Sequence, residues 1–522
     1  MIHGDILGER ARLTPEKTAL VFVPTGERLS YRDLDRRARA TAAALAGAGV
    51  HSGDRVGLLA RNRIEFLDVF FAAGLGGFVV VPLGTRLTAP ELAFIVRDAG
   101  VSTLVFDGEF ADTVRELCGL VEIPFLIALG EPCRPGDARL QELIAGAASN
   151  EAAGPIPDPE APYALLYTSG TTGRPKGVIV PHRMVAWNAY NTVISWQLRE
   201  DDVSPVFTPL YHAGGLGAFL LPIFAIGGTI VLHAGFDASE IWRTVERERC
   251  TVILGVPTIW KLLLEAPEFA GADLSSVRWL ISGGAPLPLY LIDAYQRRGV
   301  TFKQGYGLTE VGVNCFAMTA AEAVVKKGSI GRPMMFTRAR VVGCDGRDVP
   351  GGEVGELSLA GPHVSKGYWN NPEATAAALD ADGFFHTGDL ARVDADGFFT
   401  IAGRSKDMLI SGGVNVYPAE IEGELLLHPA VADAAVVGIP DEKWGEVGVA
   451  FVVVRERMAV TAEELTAFLA NRLARYKLPG EFIFLAQLPR TAYGKVVKGD
   501  LRRILAAGGA AAGVEPPHGA RS

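Results

Sequence analysis

Apolar and polar positions along this chain follow two periods in alternation. From Leu29 to Gly49 small and apolar residues recur at helical spacing, so this stretch predicts an amphipathic helix with Ser30 as its N-cap. Arg55–Leu59 is a short apolar run and predicts a strand. Glu65–Leu75 then reads as helix, Phe78–Pro82 as strand, Pro90–Ala99 as helix and Leu104–Phe106 as strand. Unbroken apolar strands alternating with helical segments describe parallel sheets covered by helices on both faces. Similar units recur at Thr251–Leu254, Trp279–Ser282 and Thr301–Gln304. The most apolar segment, Leu216–Leu232, is cut by Pro222 and Gly227-Gly228. It predicts a buried helix running into a strand, since a membrane span needs about 18 or more uninterrupted apolar residues.

From about Arg338 the pattern becomes β-rich, with strands expected at Ala339–Val342, Gly355–Leu359 and Gly397–Ile401. A charged, glycine-bearing joint, Gly403-Arg404-Ser405-Lys406-Asp407, introduces a smaller α+β unit. The expected fold class is therefore α/β: a large N-terminal domain of parallel α/β sheets plus a β-rich subdomain, then a small C-terminal α+β domain. The boundaries read as 1–403, 404–505 and an Ala/Gly/Pro-rich, disordered tail from 506 to 522. A chain of 522 residues has ample material for more than one core. The net charge of −9 argues against a nucleic-acid surface, which needs a basic field. The five cysteines are scattered without a C-x-x-C pair, which fits reduced thiols and neither zinc site nor disulfide framework. The N-terminus carries no basic segment leading into an apolar core, so a cytoplasmic location is expected.

The chemistry concentrates first in Tyr167-Thr168-Ser169-Gly170-Thr171-Thr172-Gly173-Arg174-Pro175-Lys176-Gly177-Val178, directly after the apolar run Tyr163–Tyr167. Glycines let backbone N–H groups approach anionic oxygens, hydroxyls add donors, and one mobile lysine supplies a point charge suited to phosphate. This predicts a polyphosphate-cradling loop, the plain alternative being a flexible surface turn. It is not a Walker A loop, because no G-x-x-x-x-G-K-[ST] pattern is present.

Later segments fit the same reaction. Gly305-Tyr306-Gly307-Leu308-Thr309-Glu310 sets an aromatic, a hydroxyl and a carboxylate around two glycines; alone it also reads as a strand-ending turn. His386-Thr387-Gly388-Asp389-Leu390 offers a carboxylate for ribose hydroxyls, and Arg404 a guanidinium beside ribose or phosphate. Pro489-Arg490-Thr491-Ala492-Tyr493-Gly494-Lys495 presents one lysine, which by itself reads as a surface charge. Taken together and in this order, these motifs resemble the adenylate-forming superfamily of acyl-CoA synthetases, amino-acid-activating adenylation domains and luciferases, and the resemblance runs from about Leu29 to Leu501.

The resemblance implies an ATP- and Mg²⁺-dependent reaction in which a carboxylate attacks the α-phosphate, releasing pyrophosphate, and a thiol then displaces AMP. It places Thr168 to Lys176, including Ser169, Gly170, Thr171, Thr172 and Gly173, on the β- and γ-phosphates. Gly283-Gly284-Ala285 and Tyr306, with Gly305 and Gly307, frame the adenine. Thr309 contacts the α-phosphate, Glu310 holds Mg²⁺, and Asp389 and Arg404 hold the ribose. Lys495 bridges the two reacting anions, where a cation stabilises the transition-state charge. Lys406 takes the hinge position of a mobile C-terminal domain, a position occupied by aspartate in many relatives. Ser411-Gly412-Gly413 lines the tunnel for coenzyme A.

The segment Phe207–Gly215 shapes the acid pocket in this family. It has no Asp or Glu to pair with an α-ammonium, so an amino acid is not the expected substrate. The small residues Gly214, Gly215, Gly217, Ala218, Gly312 and Val313, with Leu216, Phe219 and Leu220, predict a roomy apolar pocket that Phe207 and His212 border, His212 being either a gate or a core histidine. A medium- or long-chain fatty acid is the first expectation, an aryl or alicyclic acid the second. A stand-alone enzyme loading a carrier protein is the alternative to CoA, and a homodimer is left open.

Overall fold

The computed structural model describes residues 5–130, 137–147, 158–168, 174–285, 287–490 and 496–507. Three sheets with parallel cores carry the N-terminal part. The largest has seven strands, and its parallel core runs through Arg55–Leu59, Val79–Pro82, Val101–Asp107 and Phe125–Leu129. On one side Pro162–Thr168 joins in parallel and Lys176–Pro181 turns back antiparallel to it. A second sheet pairs Val203–Val206, Thr229–Leu232 and Thr18–Phe22 in parallel, with Glu27–Ser30 antiparallel at its edge. The third is wholly parallel: Val252–Gly255, Trp279–Ser282 and Phe302–Gln304.

The local code explains these elements. Ser30 caps the helix Tyr31–Gly47, its hydroxyl accepting from the Asp33 amide while Asp33 accepts from the Ser30 amide, a reciprocal capping box. Strands such as Val79–Pro82 are buried along their whole length, as a sheet covered on both faces requires. The segment expected to run from buried helix into strand does so, with a helix Leu221–Ile226 and a strand Thr229–Leu232. Before that helix the chain makes one π-helical turn, Leu216–Leu220, a local widening that often marks functional sites.

The β-rich part is an antiparallel sheet of Arg338–Val342, Gly355–Ala360, Phe385–Val393 and Phe399–Arg404. The C-terminal unit has its own sheet, in which Val431–Asp441 and Gly445–Val454 form the long central hairpin, and its own apolar core around Ile421, Val436, Val452 and Leu465. Helix Lys498–Ala506 covers the remainder, so the chain is still helical at the start of the expected tail; the rest of that tail, from residue 508, lies outside the described residues. Among the described residues no helix is long and apolar enough to cross a membrane.

Candidate active site

The C-terminal ends of the three parallel strands bring the adenine-side residues together. The Gly305 amide donates to the Ser282 carbonyl at 2.7 Å and the Gly283 amide to the Gly255 carbonyl at 3.1 Å. Gly283-Gly284-Ala285 and Gly305-Tyr306 thus lie on adjacent strand ends, the crevice where open α/β sheets bind ligands. The Tyr306 hydroxyl donates to Asp389 Oδ2 at 2.6 Å, and Arg404 Nε lies 3.0 Å from Asp389 Oδ1. Asp389 and Arg404 are direct partners across the antiparallel pair Phe385–Val393 and Phe399–Arg404. Burial and the neighbouring carboxylate push the Tyr306 phenol well above its ordinary range, so it remains a donor. One buried carboxylate, a phenol and a guanidinium are therefore held in a fixed fork.

On the phosphate side, Pro162–Thr168 and Lys176–Pro181 form a hairpin in which Thr168 faces Lys176. Ser169, Gly170, Thr171, Thr172 and Gly173 lie outside the described residues, as does Lys495. Lys176 Nζ sits 4.9 Å from the centre of the Tyr368 ring, and the Tyr368 hydroxyl donates to Glu310 Oε1 at 3.1 Å. Tyr368 reaches this place because residues 366–369 run alongside the hairpin strand: the Ile179 amide donates to the Gly367 carbonyl and the Trp369 amide to the Gly177 carbonyl. Sequence reasoning missed Tyr368, and its one sequence signal is the aromatic pair Tyr368-Trp369 in a glycine- and asparagine-bearing loop.

Thr309 and Glu310 stand on a single 3₁₀ turn, Thr309–Val311. The Glu310 carbonyl accepts from the Ser365 amide at 2.8 Å. The next carbonyl, that of Val311, accepts from Nδ1 of the buried His363 at 2.5 Å, while His363 Nε2 meets the Thr337 hydroxyl at 2.8 Å. Burial lowers the His363 pKa, and a neutral ring that donates at Nδ1 and accepts at Nε2 satisfies both neighbours. His363 was also missed. Among the described residues no group of three or more His, Cys, Asp or Glu could hold a metal by itself. A single carboxylate at Glu310 suits Mg²⁺, which is bound through one or two carboxylates together with substrate phosphates.

Beside Thr309 lies an apolar cavity with about 440 Å³ of empty space including its open mouth, walled by Phe70, Leu166, Met184, Leu216, Gly217 and Val313 among others. Gly312 and Val313 line it, and Thr309 and Asn188 are its polar side chains. Phe207, His212, Gly214 and Gly215, expected at the acid pocket, are not among the residues that line this cavity. Phe207 does not line the cavity; it is buried in the cluster with Ile241 and Trp242, between the rings of His233 and Phe236. Gly215 does not provide room either: a Cβ there would come 2.2 Å from the Pro209 carbonyl oxygen, so its size permits close backbone packing. Gly214 sits with Gly215 in the short helical turn Ala213–Gly215 and is likewise no part of the cavity wall. His212 precedes this turn, half-buried, its ring 4.6 Å from that of Tyr211. Cys315 is buried against the Val311 and Gly312 carbonyls and packs there.

In the C-terminal unit, Ser411 and Val414 are partners in a tight hairpin whose central residues, Gly412 and Gly413, both have positive φ of 58° and 79°. That pair of angles is open to glycine at little cost. Lys406 is exposed on the 3₁₀ turn Ser405–Asp407, immediately after Arg404.

A nucleotide crevice at parallel strand ends, a phosphate hairpin facing a lone metal-competent carboxylate, and an adjoining apolar cavity define a nucleotide-dependent enzyme that acts on a small apolar-bodied partner. The chain belongs to the AMP-binding enzyme family: that family's model matches residues 7–369, and the model of the AMP-binding enzyme C-terminal domain matches residues 420–495. It is 43% identical over 500 residues to a feruloyl-CoA synthase of Amycolatopsis sp, covering 95% of this chain and 97% of that one. It is 37% identical over 501 residues to the long-chain-fatty-acid–CoA ligase FadD13 of Mycobacterium tuberculosis, covering 96% and 97%. Among solved structures, an anthranilate CoA ligase in complex with anthranoyl-AMP superposes with a TM-score of 0.88 at 30% identity, covering 97% of this chain and 98% of that one.

Proposed function

We propose that this protein is an ATP-dependent acid–CoA ligase that activates an aromatic carboxylic acid as its acyl-adenylate and transfers the acyl group to coenzyme A. The observation that carries the reading is the compact apolar cavity opening at Thr309, beside the Glu310–Tyr368–Lys176 group. An acid lying in it would present its carboxylate at the place where an α-phosphate meets Thr309. The 43% identity to a feruloyl-CoA synthase, against 37% to the long-chain ligase, and the structural likeness to an anthranilate ligase support an aromatic acid over the fatty acid expected first.

The roles are those the family resemblance implies, and the arrangement of the described residues supports them. Tyr306, Asp389 and Arg404 hold the ribose and adenine edge, and Thr168 with the loop to Lys176 receives the outer phosphates. Mg²⁺ bound at Glu310 would neutralise charge on the phosphates. The carboxylate attacks the α-phosphorus, pyrophosphate leaves, and the CoA thiolate then attacks the acyl carbon and expels AMP. Lys495 stands between carboxylate and phosphate in the first step. Lys406 is the hinge that exchanges it for the Ser411–Gly413 hairpin in the second, in a chain divided near residue 403.

The test is AMP and pyrophosphate release with Mg-ATP, with and without CoA, over straight-chain, aryl and alicyclic acids, with products identified by mass. CoA-dependent thioester formation with aryl acids is expected. Thioesters from long-chain acids alone would return the reading to a fatty acid, and pyrophosphate without thioester would move the acceptor to a carrier protein.

A further inference from the structure

A buried polar cluster runs beneath the cavity floor, built mainly on helix His182–Trp196. Asn314 Nδ2 donates to the Thr192 hydroxyl at 3.0 Å and to the Ala218 carbonyl at 2.9 Å. The Thr192 hydroxyl donates in turn to the Asn188 carbonyl at 2.7 Å. Asn191 Nδ2 donates to the Thr337 hydroxyl, and its Oδ1 accepts from the Phe336 amide at 3.2 Å. Within this cluster one acceptor stands apart: Asn188 Oδ1 is buried and has no hydrogen-bond partner among the described residues.

The direction of this amide is fixed by chemistry. Asn188 Nδ2 lies 2.7 Å from the Gly217 carbonyl, which can only accept, so the nitrogen belongs on that side and the oxygen on the other. Asn188 is 6% exposed and lines the cavity. Its Oδ1 faces Gly312, where a Cβ would come within 2.9 Å of it. Gly312 also lines the cavity, so no side chain at that position lies between the buried acceptor and the space the acid would take. A buried acceptor with nothing to accept from is costly, and a ligand that supplies the donor recovers that cost.

We propose that Asn188 Oδ1 accepts a hydrogen bond from the acid itself, and that the enzyme selects carboxylic acids whose body carries an O–H or N–H donor. The inference rests on the acid–CoA ligase reading and sharpens its substrate class to hydroxyaryl or N–H-bearing aryl acids. Asn188 acts in recognition and takes no part in the bond-making steps. A site built around such a donor discriminates against the analogue lacking it far more sharply than an apolar wall discriminates by size.

The test uses matched acids that differ only in the donor: 4-hydroxycinnamate against cinnamate, indole-3-acetate against 1-benzofuran-3-acetate, and 10-hydroxydecanoate against decanoate. CoA thioester formation is measured as kcat/KM on the full-length protein. The wild-type enzyme is expected to favour the donor-bearing member by about tenfold or more. Asn188→Leu should remove most of that ratio by lowering the donor-bearing acid selectively, with KM for ATP and CoA unchanged. Ratios within about twofold of one in the wild-type enzyme would overturn the inference while leaving the ligase reading intact, and they require no variant to fold. A variant that lowers both members of a pair equally would also overturn it, by showing that Asn188 only packs. Turnover of the decanoate pair alone would defeat the aromatic reading, and the donor preference would then be decided by that pair.

Discussion

Replacing Tyr368 by phenylalanine removes one oxygen and tests whether this residue ties the phosphate side of the site to the metal side. The phenol donates to Glu310 Oε1 at 3.1 Å, and its ring faces Lys176 Nζ at 4.9 Å. Burial and Glu310 together push the Tyr368 phenol up from its ordinary range, so it is a neutral donor at working pH. A hydrogen bond to a charged group contributes about 1.5–3 kcal/mol; Tyr368 is half-buried, which places it at the low end, about 1.5 kcal/mol. That corresponds to about a tenfold change in an equilibrium constant. Tyr368→Phe should therefore raise KM for Mg-ATP about tenfold in a pyrophosphate-release assay at saturating acid, with KM for the acid unchanged. Tyr368→Leu also removes the ring beneath Lys176 and should add about 0.5–1 kcal/mol, a further two- to fivefold. A phenylalanine variant with wild-type KM for Mg-ATP, or one whose effect falls on the acid, would refute the tether.

Two further substitutions probe other parts of the molecule. Gly217→Ala would place a Cβ 3.0 Å from Val313 Cγ2 and 3.3 Å from Asn188 Nδ2, narrowing the cavity; kcat/KM for ring-bearing acids should fall about tenfold, by roughly 1.4 kcal/mol, while KM for Mg-ATP holds. The His233 ring is buried and its pKa is lowered from 6.5 to about 4; burial is the larger cause, and Glu240 and Asp237 oppose it. The unfolded chain therefore takes up a proton near pH 6.5 that the folded one refuses, and stability falls as pH drops from there toward 4. That loss is on the order of 3 kcal/mol, so denaturant midpoints compared at pH 7.5 and 4.5 should show a smaller decline in His233→Leu than in the parent.

The parts of the fold that were legible in sequence are those set by local patterns. Arg55–Leu59 and Trp279–Ser282 are the expected strands residue for residue, because short apolar runs bounded by turns leave little choice of ends. Ser30 announces its helix as an N-cap at the head of a helically spaced run. The proposed nucleotide residues stand out in sequence because each sits in a contiguous motif whose glycines and hydroxyls have few other uses. Tyr368 and His363 were not readable. Tyr368 meets Glu310 across 58 residues and His363 meets Val311 across 52, and the pairing that brings them there leaves no periodic trace. Phe207 opens the expected pocket segment, yet its ring is buried near those of His233 and Phe236. Gly215 misled because a small residue was taken for open space when a backbone carbonyl already fills it.

The site is assembled from five stretches of chain, yet two local pairings do most of the joining. Residues 366–369 along the strand Lys176–Pro181 bring Lys176 and Glu310, the proposed phosphate and metal groups, to one tyrosine. The register Asp389↔Arg404 brings the proposed ribose carboxylate to its guanidinium on the last strand before the C-terminal unit. Arg404 is followed at once by the turn Ser405–Asp407, so the proposed hinge at Lys406 lies two residues beyond a group proposed to hold nucleotide. Rotation about that turn would carry Lys495 and the Ser411–Gly413 hairpin with the C-terminal sheet. Tyr306 and Asp389, fixed by strands on the N-terminal side, would stay. A ligase needs this division of labour, because AMP must remain bound while the groups that made the adenylate give way to those that admit the thiol.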